Sequence, residues 1–259
     1  MNISNHHNGD EKNKPLVVLL EGNMGAGKTT LAEILGKSFD FVDVVPEPVS
    51  SWGFDEKNNL LAYFYSDPKR WAFTFQSHVF ITRAKAHIEA VNNPNSKKII
   101  VMDRSVYCDK LCFAQNCFNL GMMSKTEWNT YKKVFSWITS EFIHPPDGII
   151  YLKVSPKMCL ERINNRGRVE ERSVSLDYLK SLETLHNEWL FGPNKNVRGF
   201  DTKLLTLNGD EDFLKGEAKR QFAIDLIKDF FGSLLSRESS IGKRVSRYSA
   251  KKSGDLGTV

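Results

Sequence analysis

Residues Gly22 to Thr29 read Gly-Asn-Met-Gly-Ala-Gly-Lys-Thr, and no other stretch of the 259-residue chain limits its fold so tightly. The pattern is a glycine, four residues, then Gly-Lys-Thr, the spacing of a phosphate-cradling loop. Such a loop works only between a strand and a helix. Ahead of it, Leu16-Val-Val-Leu-Leu20 is an apolar run suited to a strand buried on both faces. Behind it, Leu31, Ile34 and Leu35 recur at helical spacing. Glycines let backbone N–H groups turn toward phosphate oxygens, and the helix N-terminus adds partial positive charge. The loop set is therefore Gly22, Asn23, Met24, Gly25, Ala26, Gly27, Lys28, Thr29 and Thr30. Lys28 is placed to reach the β- and γ-phosphates of a nucleoside triphosphate, and the Thr29 hydroxyl to ligate Mg²⁺.

Further apolar runs follow at Phe41–Val45, Lys98–Met102, Gly148–Val154 and Lys203–Leu207. Helical patterns separate them over Lys69–Val91, Asp109–Leu120, Lys125–Phe142, Pro156–Asn165, Ser175–Leu190 and Asp212–Leu235. This alternation predicts an α/β fold, a five-stranded parallel sheet with helices on both faces. One domain is expected over residues 15–235, with a lid at about 162–174 around Gly167, after a disordered leader of residues 1–14.

The net charge of +5 raises the question of nucleic acid, but four of those charges lie from Ser236 onward. That segment is rich in Ser, Gly and Lys, so residues 236–259 are expected to form a solvated, disordered tail. The nearly neutral body argues against a nucleic-acid partner. The four cysteines, Cys108, Cys112, Cys117 and Cys159, form no C-x-x-C pair, which suggests reduced thiols rather than zinc ligands or disulfides. The leader lacks an apolar targeting core, and no run reaches membrane-spanning length, so a cytoplasmic protein without a membrane partner is expected.

In parallel sheets, ligands collect at the carboxyl ends of the strands. There the second run ends in Pro46-Glu47-Pro48, which holds a carboxylate stiffly between two prolines. This suits a general base toward a hydroxyl attacking a γ-phosphate. The third run ends in Asp103-Arg104-Ser105, with Asp103 placed to organise Mg²⁺ and Arg104 to hold Glu47 or a phosphate. Arg162, Arg166 and Arg168 gather around a glycine hinge as candidate lid donors for a transferring phosphoryl group.

Together these pieces resemble the deoxynucleoside kinase family, its deoxycytidine and deoxyguanosine kinase branch in particular. The resemblance runs from Leu16 to Leu235. It rests on the phosphate loop, Val45-Pro-Glu-Pro-Val49 with Trp52, Arg70-Trp-Ala-Phe-Thr-Phe-Gln76, Asp103-Arg-Ser-Val-Tyr107, Asp147-Gly-Ile-Ile-Tyr151, Arg166-Gly-Arg-Val-Glu-Glu171 and His186 to Leu190. It implies a phosphate-loop nucleoside kinase fold, ATP with Mg²⁺ as phosphate donor, and a deoxynucleoside acceptor. By the same resemblance Glu47 is the base on the sugar 5′-hydroxyl, Gln76 bonds the nucleobase and Phe113 stacks on it. Tyr65 and Glu171 hold the 3′-hydroxyl, Arg104 anchors near the 5′-oxygen, and Lys28 and the lid arginines meet phosphates. Asp103 departs from the Glu that many animal relatives carry, so its reach to Mg²⁺ is shorter.

Arg83 lies two helical turns after Gln76, and in the resembling family an Arg–Asp pair here, Arg83 with Asp109, accompanies cytosine and purine recognition. Val79, one turn before Arg83, narrows the pocket and leaves open a thymidine-preferring enzyme. A thymidylate-kinase-like enzyme and an inactive structural relative are further alternatives; intact Lys28, Thr29, Glu47 and Asp103 oppose the second. The helices Asp109–Leu120 and Lys125–Phe142 carry more large apolar residues than one core face absorbs, which points to a homodimer.

Overall fold

The computed structural model describes residues 14–53, 59–192, 202–210 and 216–253. Five parallel strands form one sheet: β1 (Leu16–Glu21), β2 (Val42–Val45), β3 (Ile99–Asp103), β4 (Gly148–Lys153) and β5 (Lys203–Asn208), in the spatial order β2-β3-β1-β4-β5. The expected architecture is present. β1 is central and wholly buried, as a continuous apolar run demands when both sheet faces are covered.

Alternate residues of the inner strands feed two cores. Val17, Leu19, Ile100, Met102, Ile149 and Tyr151 face α3 (Pro68–Asn92), α6 (Lys125–Glu141) and α8 (Leu176–Phe191). Val18, Leu20, Ile99, Val101, Ile150 and Leu152 face α1 (Lys28–Ser38), α7 (Pro156–Arg166) and α9 (Glu217–Ser253). Each fully buried Val, Leu or Ile contributes about 1.5–3 kcal/mol of transfer free energy. This two-sided burial fixes the register that pairs Leu20 of β1 with Asp103 of β3.

Three elements depart from expectation. A short helix, α2 (Leu60–Ser66), is capped by Asn59, whose side chain accepts from the Ala62 N–H at 3.1 Å. It ends at Asp67, which caps α3 in turn by accepting from the Arg70 N–H at 3.2 Å. The helix expected over Asp109–Leu120 is split into α4 (Val106–Cys108), a π-helical stretch Asp109–Ala114 and α5 (Gln115–Asn119). Finally, α9 does not stop at Leu235 but runs to Ser253, so the helix enters the segment expected to be disordered. No proline interrupts that segment, and a helix already started extends at little cost. The leader expected over residues 1–14 lies, but for Lys14, outside the described residues, as do residues 254–259.

Candidate functional site

The phosphate loop is shaped by its glycines. Gly25 has φ 73°, and a Cβ there would lie 2.5 Å from the Cys159 carbonyl oxygen; at Gly22 (φ 153°) it would lie 2.6 Å from that of Leu152. A side chain at either position would push the loop off α7 or β4. Lys28 opens α1 and is buried, its Nζ donating to the Asn23 carbonyl at 2.9 Å. Burial and the neighbouring Arg104 lower the Lys28 ammonium to a pKa of about 8, although Asp103 and Glu47 pull the other way. The Asn23 side chain points away from the loop's mouth. It donates to the Leu179 carbonyl of α8 at 2.8 Å and accepts the Met24 N–H at 2.8 Å, so it braces the loop.

Because β1 and β3 are paired, Asp103 sits beside the start of α1. The Thr29 hydroxyl donates to Asp103 Oδ2 at 2.7 Å, and the buried Oδ1 has no hydrogen-bond partner. Two hard oxygen donors with a spare carboxylate oxygen fit Mg²⁺. The shorter Asp arm therefore reaches the threonine directly.

The next residue, Arg104, has φ 71°, a left-handed conformation that costs a non-glycine residue about 1–3 kcal/mol. The surroundings hold it there. Its N–H donates to the Leu20 carbonyl (3.0 Å). Its guanidinium donates to Glu47 Oε1 (3.2 Å), to the Gly22 carbonyl (3.2 Å) and to Cys108 Sγ (3.3 Å), and lies 4.6 Å from the Phe113 ring centre. Thus one residue ties the phosphate loop to the Pro-flanked carboxylate.

Glu47 also accepts from Arg83 Nη2 on the same oxygen, Oε1, at 2.5 Å. Among the described residues, nothing donates to its Oε2. Burial alone would raise the Glu47 carboxyl, but Arg104, Arg83 and Lys28 outweigh it and hold the group below its ordinary value. Arg83 bridges on through Nη1 to Asp109, an ion pair between two buried side chains. Burial dominates at Asp109 and raises it to a pKa of about 6 despite Arg83. The expected Arg83–Asp109 pair is present, but sequence reasoning missed that it also grips Glu47.

These groups line a cavity of about 350 Å³ that runs from the phosphate loop past Glu47 to Gln76, Val79 and Phe113. The π-helical stretch sets its floor. A wider turn places Asp109 and Phe113 together on the cavity wall, while Cys108 and Cys112 turn into the core. Gln76 Nε2 donates to Cys117 Sγ at 3.8 Å, and the buried Gln76 Oε1, Arg83 Nε and Asp109 Oδ2 have no partner. Tyr65 and Glu171 both line the cavity. Trp52, Leu61, Phe64 and Tyr178 line it too; Leu61, Phe64 and Tyr178 carried no sequence signal beyond an apolar helical face.

The lid arginines divide. Arg166 and Arg168 reach the cavity and pair with buried Glu171, at 2.5 and 3.6 Å. Arg162 instead donates to the carbonyls of Ala26 (3.0 Å) and Gly209 (2.9 Å), latching the loop to the end of β5. It does not line the cavity. All four cysteines are free and buried. No helix among the described residues is long and apolar enough to cross a membrane.

The sequence profile of the deoxynucleoside kinase family matches residues 18–231. A probable deoxycytidine kinase of fowlpox virus is 42% identical over 217 residues, covering 84% of this chain and 88% of that protein. Human deoxycytidine kinase is 35% identical over 241 residues (84% and 91%). A mitochondrial deoxyguanosine kinase of Xenopus laevis is 31% identical over 236 residues (83% and 89%).

Proposed function

We propose that this chain, which belongs to the deoxynucleoside kinase family, phosphorylates the 5′-hydroxyl of deoxynucleosides bearing an exocyclic amine, deoxycytidine first. The activity itself is that of its family, an ATP-dependent phosphotransfer. The choice of base rests on one observation. Deep in the cavity, Gln76 Oε1 and Asp109 Oδ2 are buried acceptors without donors, and Arg83 Nε is a donor without an acceptor. An unpaired buried polar atom costs about 1–3 kcal/mol, so the fitting ligand brings donors to two acceptors and one acceptor to the donor. The amine and ring nitrogen of cytosine or adenine do this. The carbonyl of thymine in the same place would face two acceptors.

In this reading Glu47, ionised at neutral pH, takes the 5′-hydroxyl proton on Oε2 while Oε1 is pinned by Arg83 and Arg104. Holding the carboxylate by two guanidinium groups fixes its direction before substrate arrives. Lys28, the loop N–H groups, Arg166 and Arg168 bear the γ-phosphoryl charge; the two arginines leave Glu171 as the lid closes. Glu171 and Tyr65 are then free to bond the sugar 3′-hydroxyl. Mg²⁺, held by Thr29 and Asp103, would neutralise charge on the ATP phosphates.

The apolar face on α6 supports a homodimer, and four buried free thiols support a reducing, cytoplasmic setting. Assaying ATP-dependent phosphorylation of the four deoxynucleosides and their ribose forms tests the proposal. Deoxycytidine and deoxyadenosine should be turned over with higher kcat/KM than thymidine. Thymidine as the best substrate would overturn it.

A further inference from the structure

Behind Arg104, on the side away from the cavity, three elements bring together groups that the phosphotransfer does not use. Cys108 and Cys112, from α4 and the π-helical stretch, and His186 from α8 are all buried, with their ligand atoms within 4.8 Å of one another. Cys108 Sγ lies 3.4 Å from His186 Nε2. The other ring nitrogen, Nδ1, is 2.7 Å from the Leu182 carbonyl and must be its donor. The tautomer is thereby fixed, with the Nε2 lone pair aimed at the thiols. That arrangement, one ring nitrogen held by a carbonyl and the other turned to the thiols, is how metal-ligating imidazoles are oriented.

The spacing fits as well. With bonds of about 2.3 Å to sulfur and about 2.0–2.1 Å to nitrogen, tetrahedral zinc sets its S and N ligands about 3.5 Å apart.

A second observation points the same way. Glu21, at the end of β1, is fully buried and neither carboxylate oxygen has a hydrogen-bond partner. Cys108, Arg104, Ser105 and Lys28 stand around it. A buried unpartnered carboxyl needs either a proton or a cation. Adding one divalent ion to two thiolates, the Glu21 carboxylate and the Arg104 guanidinium leaves no net charge.

We propose that Cys108, Cys112 and His186 form a site for a thiophilic divalent metal, zinc in the first instance, with a water in the fourth position and Glu21 balancing its charge. The ion joins α4 to α8 directly beneath Arg104, whose Nη1 donates to Cys108 Sγ. It thus braces the left-handed turn that holds Glu47. Its role is structural, since no ligand faces the cavity.

Titrating Co²⁺ into the full-length, metal-stripped, reduced protein tests this. One equivalent should produce a near-ultraviolet thiolate-to-cobalt charge-transfer band with tetrahedral visible bands, and stoichiometric Zn²⁺ should abolish both. Cys112→Ser and His186→Asn should each weaken binding by at least the 10–100-fold that even an outer partner is worth. Cys159→Ser should leave it unchanged. Should a variant not fold, alkylation of the wild-type protein followed by peptide mass analysis decides. Zn²⁺ must protect Cys108 and Cys112 and leave the reactivity of Cys117 and Cys159 as it was. Absence of the charge-transfer band in folded wild type, its persistence in Cys112→Ser, or unselective protection overturns the site.

Discussion

The two ends of the cavity are built from different materials. At the phosphate end the recognising groups are backbone N–H groups of one continuous loop, shaped by Gly22 and Gly25 and completed by Lys28 and Thr29. At the nucleoside end they are side chains drawn from β2's exit, α2, α3, the π-helical stretch and the lid. The first end must accept a triphosphate that hardly varies, and a fixed backbone cradle suffices. The second must tell bases apart, which backbone amides cannot do. It therefore uses buried, unpaired side-chain atoms whose partners only the right ligand supplies. Glu47 and Arg104 stand where the two meet, and Arg104 touches both.

The largest expected effect lies at that junction. Glu47→Gln should lower turnover by about 10²–10⁴-fold, the usual worth of a positioned general base. The amide oxygen can still accept from Arg83 and Arg104, so nucleoside affinity should hardly move, but two buried guanidinium groups lose their shared carboxylate charge and the melting temperature should fall. A variant that keeps more than half of wild-type turnover removes Glu47 from the mechanism.

At the nucleoside end, Asp109→Ala strands the buried Arg83 charge. Loss of one partner of a buried pair costs about 3–5 kcal/mol, and here Glu47 remains as a second partner, which favours the lower figure. The orphaned guanidinium should also lean further onto Glu47, so turnover should fall with stability. Converting both residues, Arg83→Met with Asp109→Ala, removes the charge and should restore much of the denaturation midpoint while shifting preference toward thymidine. Unchanged preference in the double variant would move base selection to Gln76 and Val79.

The contrast in materials also governs what the sequence discloses. A loop of eight consecutive residues between a strand and a helix is a local pattern, so its position was legible, as was the alternation of strands and helices that makes a parallel sheet. So were Glu47, Asp103 and Arg104, which sit at strand exits where a parallel sheet places its ligands. The links between them were not. Arg83 and Glu47 are 36 residues apart, and Cys108 and His186 are 78 apart, and only packing brings each pair into contact. The helix α2 escaped because its seven residues bury only Leu60 and Phe64, too few to show a period. The π-helical stretch escaped because its apolar spacing suits an α-helix equally well. Arg162 shared the lid's composition but not its place, since its donors are taken by carbonyls of the loop and β5.

At the phosphate end, a pH profile gives a smaller and graded effect. Lys28, lowered to a pKa of about 8 in the free protein, must be charged to meet phosphate. Raising the pH through about 8 removes that proton, so kcat/KM for ATP should fall about tenfold per unit above it. The Glu47 carboxyl, already below its ordinary value, contributes no change there. A profile flat to pH 10 would show that Lys28 keeps its charge without the nucleotide.

The smallest effects are expected away from both ends. On α6, Trp128, Tyr131 and Phe135 are buried in the core, but Val134 and Trp137 are exposed, with Phe142 just beyond packed edge-on against Trp137 at 5.4 Å. An exposed tryptophan beside a phenylalanine is a poor monomer surface, since each Å² left in water costs about 25 cal/mol. On the proposed dimer, Trp137→Glu should therefore turn the protein monomeric by light scattering at micromolar concentration, with little change in its fold because the side chain is 59% exposed. Removing residues 237–259 shortens α9 past Phe231, Leu234 and Leu235, which pack on the core, and should leave turnover and the proposed dimer intact. A monomeric wild type would refute the interface. A folded but inactive truncation would show that the extension of α9 past Leu235 takes part in the reaction cycle. The cavity's two ends would then no longer account for the whole of the enzyme's function.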